Sequence, residues 1–178
     1  MFGYVKGIFR ARKLAKSVDK LTQRVVNHLI LRGIRIRLPD TAWILKESYA
    51  FCSCIRLKKA SIEEHGMTAV LAMSLLRDSL IANFQPCYPE FDFEEGVDSV
   101  MKSLPNYFKT WTSQLATDYP ELVGKPMTQI IHFAGLKYAK SIREHILENY
   151  LFESDEFDEF LVRTVNDCIA EVPSGRMT

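Results

Sequence analysis

Nine cationic side chains close to the start of the chain are its clearest candidates for chemistry: Lys6, Arg10, Lys13, Lys16, Lys20, Arg24, Arg32, Arg35 and Arg37. Binding an anionic surface takes several cations at regular spacing, and helix positions three and four apart supply it. Phe9 falls among them, where an aromatic ring can stack on a base or dip into lipid. The chain's net charge of +1 hides how uneven the distribution is. Residues 1–60 hold 14 Lys or Arg against Asp19, Asp40 and Glu47, a net of +11, whereas residues 61–178 hold 9 basic and 19 acidic residues, a net of −10. Such segregation points to an anion-binding surface or to pairing within the chain. The acids Glu153, Asp155, Glu156, Asp158 and Glu159 are the densest cluster and a candidate partner for the basic face.

Other constellations read as structural. Cys52 and Cys54 are two apart; on a helix they point about 200° from each other and cannot share one ion. A site completed by Cys87 and His65 would need the usual paired knuckle with two intervening residues, which Cys52-Ser53-Cys54 lacks, so the thiols read as small core residues. His145 and Glu148 lie three apart, but di-metal bundles place Glu before His and add ligands from facing helices, so the two read as an ordinary surface pair. The acidic cluster lacks the glycine turn of a calcium loop. Gly-x-Gly-x-x-Gly, Gly-Lys-Ser/Thr and Gly-x-Ser-x-Gly are absent from the sequence. No catalytic residue, metal or cofactor is therefore expected.

The elements that must carry the basic residues are helical. Residues 4–31 project as a long amphipathic helix with Tyr4, Ile8, Ala11, Leu14, Ala15, Val18, Leu21, Val25 and Leu29 on one face, ended by Gly33. Ile34 to Leu38 alternate with Arg35 and Arg37, which predicts a short extended connector or edge strand. Asp40 suits an N-cap for a helix over about 41–59. Ser61-Ile62-Glu63-Glu64 reads as a capping box opening a helix to about Phe84, whose apolar stretch Met67 to Leu76 is the expected centre of the core. A loop over 85–91, a helix from Asp92 that Pro105 either kinks or divides, a loop over 119–125, a helix from Pro126 to about Leu151 and a last helix from residue 154 or 155 complete the pattern.

The expected fold is all-α: one domain over 1–178, a bundle of six or seven helices, with 1–38 as basic helix plus connector and 39–178 as helical core. No run is apolar for long enough to span a bilayer. Charges among the first residues leave no apolar leader, and four scattered cysteines read as reduced thiols, so a cytoplasmic setting is expected. The expected function is a non-enzymatic adaptor, inhibitor or regulatory protein whose basic surface meets an acidic protein or a second copy of itself. The alternatives are nucleic-acid binding without sequence specificity, a membrane surface met through the first helix, and a pocket inside the bundle near His65, His132 or His145.

Overall fold

Gly33 decides where the first helix stops. Its φ is +82°, a region open to glycine. The Ile34 amide donates to the Leu29 carbonyl (3.0 Å) and the Gly33 amide to that of Ile30 (2.9 Å), the paired bonds of a Schellman end. The computed structural model describes residues 2–56, 62–87, 93–122, 124–151 and 155–171. Side chains of residues 2–6, 62–69, 83–84, 87, 93 and 127–128 fall outside that description, and with them the expected caps at Ser61 and Asp92. Six helices follow in order: α1 (Phe2–Leu31), α2 (Leu38–Arg56), α3 (Ile62–Phe84), α4 (Phe93–Asp118), α5 (Met127–Asn149) and α6 (Asp155–Ala170).

Ala11, Leu14, Ala15, Val18, Leu21, Val25 and Leu29 of α1 are buried, as their common face requires. The connector 34–37 forms no strand. Ile36 is buried while Arg35 and Arg37 are exposed, so the alternation anchors the chain without a ladder partner. Asp40 is not the N-cap. The helix begins two residues earlier, and Asp40 sits in its first turn, where its carboxylate reaches back to accept from the Arg37 amide (3.3 Å). This is the reach-back half of a capping box.

The expected centre of the core is also corrected. Among the described side chains of α3, Val70 (62%) and Leu75 (39%) are exposed while Ala72, Leu76 and Leu80 are buried, and Met67 to Ala69 of the expected centre lie outside the description. The middle of the bundle is α2, which packs against α1, α4 and α5 and buries Ile44, Leu45, Tyr49, Ala50, Phe51, Cys52 and Ile55. Its polar residues are buried too. Glu47 accepts from the Trp111 indole N–H (2.9 Å) and the Tyr107 hydroxyl, and Ser48 shares a hydrogen bond with the Tyr138 hydroxyl (3.1 Å). Burial pushes the Glu47 carboxyl above its ordinary range, and the two donated bonds oppose that rise.

Pro105 lies inside α4 and does not divide it. Gly124 (φ +77°) turns the chain into Pro126, which precedes the first turn of α5. Helix α6 seats Phe157, Leu161 and Val165 in the core against α5. Gly135 lets the two helices approach: a Cβ there would meet Val165 Cγ1 at 2.6 Å. Valine is stiff at χ1, so the clash is not relieved by a simple swing. Gly135→Ala should therefore destabilise the fold by about 1–3 kcal/mol in chemical denaturation, and Val165→Ala in the same chain should recover part of that loss. An unchanged denaturation midpoint for Gly135→Ala would disprove the close α5–α6 approach.

Candidate functional site

Four residues of α1 and its end, Lys20, Arg24, His28 and Arg32, lie four apart and form one ridge of the helix. Helix α6 runs antiparallel along it. Lys20 Nζ meets Glu171 at 2.5 Å, Arg24 Nη2 meets Asp167 at 2.8 Å, and Arg32 pairs with Glu156. Between the second and third pairs the His28 ring stacks on Phe160 (3.8 Å between centroids) and Phe157 (5.8 Å). Its Nε2 is buried with no hydrogen-bond partner. Burial lowers the pKa of His28, and nearby Arg32 lowers it further, against a smaller opposing effect of Glu156. The three ion pairs are open to solvent, with side-chain exposures of 33% to 69%. Exposed pairs of this kind contribute about 0–1 kcal/mol each. The buried Phe157, Leu161 and Val165 contribute more, about 1.5–3 kcal/mol per fully buried side chain. Core packing therefore holds α6 in place, and the ion pairs set which cations it covers.

The same ridge continues toward the N-terminus through Lys16 and Arg12. Both are exposed, and among the described residues no ion pair joins either one. Lys13 is exposed beside them, its Nζ 4.6 Å from the centre of the Phe9 ring, which is itself 60% exposed. From α2, Arg56 reaches the same flank and donates to Ser17 Oγ (2.6 Å). Arg10 is half-buried and engaged, and the Lys6 side chain lies outside the described residues.

Arg35 stands exposed on the connector, whereas Arg37 is tied down. Arg37 donates to Asp40 through Nε (2.8 Å) and Nη2 (3.1 Å) and to the Asn149 side chain (3.0 Å). Asp40, whose side chain is 2% exposed, also accepts from the Tyr150 hydroxyl and bonds His145 Nε2 (2.9 Å). The His145 ring stacks on Trp43, with centroids 4.1 Å apart and planes 9° apart. His145 is thus a clamp on Asp40 and not one half of a surface pair with Glu148. Burial pushes the Asp40 carboxyl up, but the bonds from Arg37, Tyr150 and His145 outweigh it and hold the group well below the carboxylate range. With both oxygens already engaged, this carboxylate fastens the connector to the end of α5 and has little capacity left for a substrate.

The thiols read as core. Cys52 is fully buried, and burial pushes it well above the ordinary thiol range; burial likewise pushes Cys54 up to about 11. A groove of about 320 Å³ lies between the end of α4 and α5, lined by Asp118, Tyr119, Lys137, Lys140, Ser141 and Glu144. Its charges pair with each other, Lys137 with Asp118 (3.3 Å) and Lys140 with Glu144 (3.9 Å). Neither His132 nor His145 lines it, and the His65 side chain is outside the described residues. Among the described residues no group of three or more His, Cys, Asp or Glu is placed to hold a metal ion, and no helix is long and apolar enough to cross a membrane.

The structure thus splits the nine expected cations. Lys20, Arg24 and Arg32 face α6, Lys13 and Lys16 remain open, and Arg37 belongs to the Asp40 clamp. Sequence reasoning missed Arg12 and Arg56. Arg12 was recoverable from its four-residue spacing to Lys16; Arg56 lies in the last turn of α2, and only the packing of α2 on α1 brings it to Ser17. The chain matches no family model, no curated protein and no solved structure.

Two titrations follow from these environments. His28 has a lowered pKa in the folded state, so its contribution is present above its ordinary 6.5 and is lost as pH falls below that value. Asp40 is also depressed, so its contribution is present above 3.8 and is lost only below it. Urea midpoints followed through both ranges should show two declines, the first reduced in His28→Phe and the second in Asp40→Asn. A first decline of wild-type size in His28→Phe would contradict the neutral, stacked imidazole.

Proposed function

We propose that this chain is a non-enzymatic interaction protein and that the open half of the α1 ridge, with Phe9, Arg12, Lys13 and Lys16, binds an acidic protein. One observation carries the reading: the covered half of the same ridge is already occupied by carboxylates, those of α6. The open cations continue the same four-residue spacing, which supports an acidic protein as their partner. An exposed cationic stripe of this kind speeds encounter and selects partners by charge more than it adds raw affinity. Unpaired thiols at Cys52, Cys54 and Cys168 support a reducing, cytoplasmic setting.

A second reading rests on Phe9. An aromatic ring exposed among cations suits single-stranded nucleic acid, where bases stack and phosphates pair. The two separate by salt and by ligand. Poly-glutamate and an oligonucleotide of equal charge should both be titrated at low and at physiological salt. The acidic polypeptide should bind at both, and Arg12→Glu with Lys16→Glu should weaken it by about tenfold or more, the loss of about 1.4 kcal/mol. Preferential retention of the oligonucleotide, with an affinity that falls steeply with salt, would replace the first reading by the second. No binding of either ligand at low salt would remove both.

A further inference from the structure

We infer that the partner of the open half-ridge is an acidic amphipathic helix that lies antiparallel to α1, in line with α6 and beyond its end. The inference rests on the acidic-partner reading and adds the partner's shape and register. Within the molecule α1 already carries such a ligand. Reading α1 backward from Arg32, its ridge meets Glu156, then the Phe160 ring against His28, then Asp167 and Glu171. The last two carboxylates are four apart, Asp167 on α6 and Glu171 one residue past its end, as Arg24 and Lys20 are four apart on α1. The Glu171 amide donates to the Asp167 carbonyl (3.0 Å), so the helical turn holds both at matching rise. Glu171 on Lys20 is the last of these contacts. The residues that follow it, VPSGRMT, contain no acidic side chain, and among the described residues no carboxylate continues the row onto Lys16 or Arg12.

The ridge itself does not stop there. Lys16 and Arg12 repeat the four-residue step twice more, and Lys13 widens the strip on the side of Phe9. A helix that places Asp or Glu four apart would meet Lys16 and Arg12 as Glu171 and Asp167 meet Lys20 and Arg24. An apolar or aromatic side chain one turn further on would reach Phe9, as Phe160 reaches His28. An extended acidic segment places alternate side chains about 6.6–6.8 Å apart, close to the rise of about 6 Å over four helical residues, so it is the helical seat of α6 on the adjoining half of the ridge that favours a helix.

Two peptides of identical composition test this. In one, glutamates sit four apart on a single face with one phenylalanine a turn beyond them. In the other, the same residues are permuted so that the glutamates are spread around the helix. Each is held helical by a hydrocarbon staple away from the glutamates and titrated by fluorescence anisotropy. The one-face peptide should bind about tenfold tighter or more, corresponding to about 1.4 kcal/mol. That preference should vanish in Arg12→Ala with Lys16→Ala, both exposed positions, and persist in Arg35→Ala. Equal affinity for the two peptides would overturn the helical register while leaving the acidic-partner reading in place. Failure of both peptides, with poly-glutamate still binding, would do the same. Failure of all three would overturn both proposals. A dimer seen in light scattering that Arg12→Glu with Lys16→Glu dissolves, without peptide binding, would replace the helix by a second copy of this chain.

Discussion

The antiparallel contact between α1 and α6 is the constraint that decides which charges of the molecule are covered and which stay open. A chain with +11 on its first 60 residues and −10 on the remainder must either separate those charges in solvent or bring them together. This one does both. The C-terminal half of the α1 ridge is laid against α6, and the N-terminal half is left in water. Like charges four apart weaken a helix by a few tenths of a kcal/mol per pair. At Lys20 and Arg24 that repulsion is offset by carboxylates of the same chain; at Arg12 and Lys16 no carboxylate among the described residues offsets it.

What keeps this arrangement in place is not electrostatic. The ion pairs on α6 are exposed and weak, while Phe157, Leu161 and Val165 are buried and Gly135 admits α6 close to α5. Helix α6 can therefore exchange its carboxylate contacts without leaving its seat. The buried carboxylates do separate work. Glu47 ties α2 to α4 through Trp111 and Tyr107, and Asp40 ties the connector to the end of α5. Both are satisfied by several donors, as a buried carboxylate must be. Together they hold α2 in the middle, and α1 is built against α2.

Much of the architecture was legible because it is written in local signals. The apolar spacing of α1, Gly33 at its end, Pro126 before α5 and the start of α6 near Asp155 all follow from periodicity and backbone preference. The basic face was legible for the same reason. The central helix was not: Lys46, Glu47, Ser48 and Ser53 make α2 look amphipathic, and only the long-range donors Tyr107, Trp111 and Tyr138 show why a helix with such residues can be buried. The apolar run in α3 invited the opposite error, since Val70 and Leu75 are exposed. The Asp40 clamp was illegible in the same way, because His145 and Tyr150 are more than 100 residues away in sequence. Which cations stay open was also undecidable from spacing alone, since it depends on where α6 ends.

Acylation rates of individual lysines, read by mass spectrometry, test the half-covered ridge most directly. Lys20 and Lys16 stand one helical turn apart on one ridge, and they differ in whether a carboxylate is engaged. At low salt Lys16 should react faster than Lys20, and the gap should close at high salt, where exposed ion pairs are screened. It should also close at low salt in Glu171→Gln. Equal rates at low salt in the wild-type chain, or a Lys20 that reacts faster than Lys16, would contradict the division of the α1 ridge into a covered half and an open one.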